Sequence, residues 1–279
     1  MAYGHVPRPS GSKPSDLRPR VYALPERAQT AQREAILAVP FNAVGDEQEA
    51  YISSDGSNPL KPPSALVDFL AATFNDELAK GVTYPQRGPM DRAEFEGYFL
   101  GYDLIVGVFL SADQVSAITK ETIPEDGLQL PSLGLVPHLA SLDYSTAVAG
   151  FYYIKPNYPG RSSHLCNAGF VVPPTSRGLG LGGVLGRSYL HFGPKAGYKG
   201  SVFNLVYVNN VASVRIWQRL GFTIVGRLPM AGLLKTETGE ELTDAYIIFK
   251  DFTGKLQDPQ TGAAKPSEPI ATDGSKTAA

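Results

Sequence analysis

A chain of 279 residues with 43% hydrophobic and 10% aromatic residues can bury a sizeable core, which excludes a disordered protein. Its single cysteine, Cys166, excludes an intrachain disulfide and a multi-cysteine metal site, and no apolar run reaches the roughly 18 residues of a membrane span. The net charge of −2 conceals an asymmetry: Tyr144 to Thr236 holds ten Lys or Arg and not one Asp or Glu, which points to a local anionic ligand. Nucleic acid is disfavoured as that ligand, because the charges are dispersed among apolar strands in a slightly acidic chain.

The chain begins MAYGHVPRPSGSKPSDLRPR, which lacks the apolar stretch of a secretion signal and has prolines that oppose a presequence helix. Cytosol is the expected location, with a mitochondrial pool left open. Residues 1–20 and 253–279, rich in Pro, Gly, Ser and Thr, read as disordered tails around an arm (21–60) and one domain (61–252). Within the domain, 64–81 reads as a helix, with Leu66, Phe69, Leu70 and Phe74 at helical spacing and Gly81 as its stop. A second helix is expected at 91–101 and a strand buried on both faces at 102–110. Residues 111–143 read as loop. Strands follow at 147–156 and 167–172, then a helix with Leu181, Val184, Leu185, Tyr189 and Phe192 on one face. A strand at 201–208, a short helix at 212–220 and strands at 222–228 and 243–252 complete an α/β domain. Its mixed central sheet is expected to have parallel middle strands flanked by helices.

The run Ser176-Arg-Gly-Leu-Gly-Leu-Gly-Gly183 contains the spacing Gly178-x-Gly180-x-x-Gly183 of a dinucleotide site. The context opposes that reading. The run follows three or four strands, and SVFNLVYVNN supplies no carboxylate about 20 positions on to hold a ribose. No Gly-Lys-Ser/Thr follows, so a P-loop is excluded. What survives is a glycine-lined helix start whose free N–H groups, with Arg177, suit a diphosphate.

Val172-Pro-Pro-Thr-Ser-Arg-Gly-Leu-Gly-Leu-Gly182 resembles the acetyl-coenzyme A signature of the GNAT acetyltransferase superfamily. Asn210-Val-Ala-Ser-Val-Arg-Ile-Trp-Gln-Arg-Leu-Gly-Phe222 resembles its second signature. YYIKPNYPGRSSHLCNAGFVV and SVFNLVYVNNVASVRIW are further similar to the fungal N-acetyltransferases that detoxify proline analogues such as azetidine-2-carboxylate. The resemblance implies the GNAT fold, acetyl-CoA as co-substrate, no metal, a small amine or amino-acid acceptor and a homodimer. It also implies direct attack of the amine on the thioester. Phe170 and Val172 would pair with the pantetheine arm, and Arg177, Gly178, Leu179, Gly180, Leu181, Gly182 and Gly183 would hold the diphosphate.

Asn167 and Asn204 lie in otherwise apolar strands, where each buried amide needs a partner. Facing one gap, they can bind the acceptor or satisfy each other or a bulge. The resemblance assigns Asn167, Asn204 and Leu205 to substrate. It assigns Asn210 to the cofactor arm, with Ser213 close by, and Asn210 is also a good helix N-cap. Water held by Asn167 or Asn210 is the expected route for the amine proton; Asp103, Asp143, Tyr152 and Tyr153 are outside candidates. Trp217 stands where many family members have a tyrosine that protonates the leaving thiolate, a step indole cannot perform. Two rivals therefore remain: an enzyme for another small primary amine, and an inactive CoA-binding sensor. Cys166 and His164 read as structural.

Overall fold

The computed structural model describes residues 6, 9, 17–42, 62–130 and 139–255. Its first strands are β1 (Arg20–Ala23) and β2 (Ala35–Asn42), followed by helix α1 (Ser64–Lys80). Leu66, Leu70, Phe74 and Leu78, spaced by four, are the buried stripe of α1. Gly81 stops it at φ 66°, the left-handed conformation that glycine adopts without cost. α2 (Arg92–Phe95) starts from an Asp91–Glu94 capping box and continues as a π-helical turn, Glu96–Leu100. Next come β3 (Asp103–Leu110), α3 (Ala112–Ile118), β4 (Leu128–Gln129), α4 (Tyr144–Ala147) and β5 (Val148–Pro156). The chain closes with β6 (Leu165–Val171), α5 (Leu181–Lys195), β7 (Gly200–Tyr207), α6 (Val211–Arg219), β8 (Thr223–Thr236) and β9 (Gly239–Asp251).

Among the described residues the strands form one sheet in the order β4-β1-β2-β3-β5-β6-β7-β9-β8. The expected parallel middle reduces to a single parallel pair, β6–β7, over Leu165↔Gly200 and Cys166↔Ser201. All other neighbours are antiparallel, and only the α5 crossover returns the chain in the same direction. β3 and β5 are buried along their whole length, as an apolar central strand requires. On one side of the sheet α5 packs Leu181, Val184, Leu185, Tyr189 and Phe192 into a core with Tyr152, Phe203 and Trp217. On the other, α1 and α2 enclose Phe74, Phe95, Phe99, Phe151 and Tyr153.

Three boundaries differ from the sequence reading. The stretch 21–60 is no separate arm where it is described: β1 and β2 extend the sheet beside β3. The first 20 residues are not all loose, since Leu17 is fully buried and the Val6 backbone is bonded in both directions to the Tyr102 hydroxyl, 2.9 Å each. Inside 111–143, a capping box formed by Ser111 and Gln114 starts the helix α3. Residues 131–138 and 256–279 lie outside the described residues. No helix among the described residues is long and apolar enough to cross a membrane.

Candidate active site

After Cys166↔Ser201 the two parallel strands part, while β7 stays paired with β9 along its other edge. The Asn157 N–H donates to the Leu165 carbonyl at 2.8 Å, so alternate residues 165, 167, 169 and 171 spend their backbone groups on β5. Residues 168, 170 and 172 present theirs to the gap. The Phe170 carbonyl accepts from Tyr84 Oη at 3.0 Å, and the Val172 carbonyl accepts from Arg177 Nε at 3.2 Å. Phe170 and Val172 therefore lie on the part of the β6 edge that no strand pairs, with their carbonyls held by side chains.

The glycine run makes a turn and then a helix mouth. Gly178 and Gly180 have φ of 79° and 76°, and Gly180 caps α5 without any side-chain bond. The first-turn N–H groups of Leu181 and Gly182 point outward from a helix start, whereas the Gly183 N–H closes on the Gly180 carbonyl at 3.1 Å. A Cβ added at Gly178 or Gly183 would meet nothing within 4 Å, so an anion has open access to the backbone there. This geometry fits a diphosphate. Leu179 packs partly against the α5-side core beneath the turn.

Arg177 is placed differently from expectation. One Nη donates to Glu77 Oε2 at 2.6 Å while Nε holds the Val172 carbonyl, so the guanidinium ties the turn to α1. Glu77, only 7% exposed, also accepts from Lys80 at 2.6 Å and Thr83 at 2.7 Å. Burial raises its carboxyl pKa, but the bonds from Lys80, Thr83 and Arg177 outweigh that and hold it below the ordinary value. The basic block is thus met by a carboxylate brought from a hundred residues upstream. Glu77 was missed because nothing in its own helix marks it.

Asn167 and Asn204 face the same side of the sheet, that of α1, and are joined through a third asparagine. Asn157 Oδ1 accepts from Nδ2 of each at 2.7 Å, and Asn157 Nδ2 donates to Asn204 Oδ1 at 3.1 Å. Tyr158 Oη adds a bond to the same Asn204 oxygen at 3.2 Å. One atom is left over: Asn167 Oδ1 is buried and has no hydrogen-bond partner. Asn204 and Leu205 occupy a bulge between Phe203 and Val206, where the β9 register skips and their backbone leaves the ladder. The sequence signal for Asn157 and Tyr158 was the turn Asn-Tyr-Pro-Gly after β5, whose proximity to Asn167 depends on the β5–β6 register. Lys155, register partner of Asn167, was read only as one charge of the basic block.

Asn210 caps α6, its Oδ1 accepting from the Ser213 N–H at 3.1 Å. Ser213 Oγ accepts from Trp217 Nε1 at 3.1 Å. The indole is buried against Phe170, Phe203 and Phe222, with ring centroids 4.9, 4.7 and 5.1 Å away. Trp217 therefore packs the wall behind the gap instead of presenting a proton to it.

The outside candidates separate. Asp103 is fully buried, opposite Ile154 in the β3–β5 pair. Asp143 caps α4 through Ser145 and Thr146, and the bonds from Ser145 hold its carboxyl low. Tyr152 bonds Ser188 on the α5 side, at 2.8 Å; only Tyr153, bonded to Tyr98 at 3.1 Å, shares the face of Asn167. Burial pushes the Cys166 thiol up to about 12, which removes it as a nucleophile. His164 Nδ1 contacts the Arg161 carbonyl at 3.1 Å and pins a turn.

The Acetyltransferase (GNAT) family profile matches residues 119–222. N-acetyltransferase aca1 of Schizosaccharomyces pombe is 40% identical over 201 residues, covering 72% of this chain and 87% of that protein. The chain belongs to the GNAT acetyltransferase family. Its co-substrate is acetyl-CoA, and the glycine mouth and free β6 edge are the features that fit that molecule. Protein SPT10 of Saccharomyces cerevisiae is 28% identical over 71% of this chain, which spans only 34% of that larger protein. Among solved structures, a GCN5-related N-acetyltransferase from Kribbella flavida shares the fold, with a TM-score of 0.50 at 20% identity over 69% of this chain and 95% of that one.

Proposed function

We propose that this protein acetylates the nitrogen of a small amino acid, with a cyclic secondary amine such as azetidine-2-carboxylate or another toxic proline analogue as the favoured acceptor. The observation that carries the acceptor side is the buried, unpartnered Asn167 Oδ1 at the point where β6 and β7 part. A buried acceptor oxygen without a donor costs on the order of 1–3 kcal/mol. An amine N–H removes that cost and is thereby held toward the gap. The name of the fission-yeast relative, an N-acetyltransferase, supports transfer to nitrogen.

The acyl donor supplies a thioester that an amine nitrogen can attack directly. The chain's residues supply position. Leu181 and Gly182 N–H groups hold the diphosphate at the positive end of α5, with Gly178, Leu179, Gly180 and Gly183 shaping the turn. Arg177 acts on the cofactor by bracing that turn through Glu77. Phe170 and Val172 N–H groups pair with the pantetheine arm as a strand would. Asn167 and the released backbone of Asn204 and Leu205 orient the acceptor. Asn210 and Ser213, at the mouth of α6, offer polar contacts to the arm near the thioester, and water passes the amine proton to bulk.

A cytosolic homodimer is the working form of this reading. The exposed apolar side chains Val225, Leu228, Met230, Leu233 and Leu242 on the β8–β9 hairpin support association. Thiol release from acetyl-CoA tests the function. Azetidine-2-carboxylate should be turned over, with Asn167→Ala losing at least tenfold in kcat/KM. A polyamine preferred by wild type, or tight CoA binding with no turnover of any amine, would overturn it.

A further inference from the structure

Lys155 is the one basic side chain of the 144–236 block that is nearly closed to solvent, at 4% exposure. No carboxylate pairs with it among the described residues. Its Nζ lies over two aromatic faces instead, 3.8 Å from the Tyr98 centroid and 4.1 Å from that of Tyr153. Rings can shelter a cation, but they do not neutralise it. Burial alone lowers the ammonium to about 8, with no opposing charge acting on it.

Its position gives that unpaired charge a use. Lys155 and Asn167 are direct cross-strand partners, so their side chains leave the same face of the sheet with Cβ atoms about 5 Å apart. Asn157, two residues on from Lys155, is the hub of the asparagine cluster. One end of this site thus lacks an anion, and the other, Asn167 Oδ1, lacks an N–H donor. An α-amino acid carries both, one carbon apart. A plain amine satisfies only the second, and a polyamine adds a cation beside a buried ammonium.

We infer that Lys155 reads the acceptor's carboxylate, which makes the gap between β6 and β7 selective for zwitterionic amino acids over amines that lack the acid group. The inference deepens the acceptor assignment above and rests on it. Lys155 acts as a specificity-determining residue; the nitrogen that reacts is held by its neighbour.

The test compares azetidine-2-carboxylate with azetidine-2-carboxamide as acceptors for wild type, Lys155→Met and Lys155→Arg. Wild type should prefer the acid by at least tenfold in kcat/KM. Lys155→Met should raise KM for the acid tenfold or more while changing the amide less than threefold, and Lys155→Arg should recover part of the preference. No acid preference in wild type, or equal losses on acid and amide in Lys155→Met, would overturn the inference while leaving the acetyltransferase standing. A second readout does not depend on turnover. In CoA-bound protein labelled with [ζ-15N]lysine, the resonance missing from Lys155→Met belongs to Lys155. Azetidine-2-carboxylate should raise its titration midpoint by at least one unit and the carboxamide should not. Among the described residues, the titratable groups that face this ammonium are the Tyr98 and Tyr153 phenols, and burial holds the Tyr153 phenol well above its ordinary value. An unmoved midpoint would overturn the inference even if neither compound is acetylated.

Discussion

Replacing Lys155 by methionine should stabilise the fold, because the native lysine is held at a cost. Its ammonium titrates near 8 in place of 10.5, and 1.36 kcal/mol per unit makes burial of the charge worth about 3 kcal/mol of lost stability at neutral pH. The two ring contacts return about 0.5–2 kcal/mol. Methionine nearly matches the side chain's length and needs no hydration, so Lys155→Met should gain about 1–3 kcal/mol at pH 7. The pH dependence follows from the depressed value. Between pH 8 and 10.5 the unfolded lysine binds a proton that the folded one has lost, so wild type recovers stability as pH rises. The advantage of the variant should therefore be full below pH 8, shrink through that window and vanish above 10.5. Urea unfolding of both proteins at pH 7 and pH 9.5, with m-values compared, reads it directly. A variant less stable than wild type at pH 7, or a gain that does not change with pH, would refute the reasoning. A stabilised variant that loses its acid acceptor would show a charge kept for function at the expense of stability.

Glu77→Gln should cost about 1–2 kcal/mol, discounted because its partner Arg177 is half exposed, and should raise KM for acetyl-CoA several-fold by loosening the 177–183 turn. The Glu77 carboxyl is held low in the folded protein, so its contribution is present above about pH 4.5 and is lost as pH falls through the folded value; an acid-unfolding midpoint unmoved by Glu77→Gln would remove the strut. Gly178→Ala meets open space but must hold φ 79°, so a loss of about 1 kcal/mol in stability and a higher acetyl-CoA KM are expected; neither change in melting and kinetic assays would argue against the turn. Cys166, buried with its thiol near 12, should resist iodoacetamide in the folded protein at pH 8, and Cys166→Ala should keep turnover; rapid labelling detected by mass would contradict its burial.

The sequence by itself determined the repeating local features. The apolar stripe of α1 and its Gly81 stop, the two-faced burial of β3, and the glycine mouth of α5 each depend on side chains within one turn or strand of one another. The family signatures at 172–182 and 210–222 were legible for the same reason: each is a contiguous stretch that one backbone feature uses. What only the tertiary structure decided was pairing. Glu77 reached Arg177 across a hundred residues, and Tyr84 reached the Phe170 carbonyl across 86. Asn157 became the hub between Asn167 and Asn204, and Lys155 became the neighbour of Asn167, through a strand register that no local pattern specifies. Periodicity tells which face a residue takes, but a hydrogen bond or a stranded charge depends on what the opposite strand or helix delivers to that face.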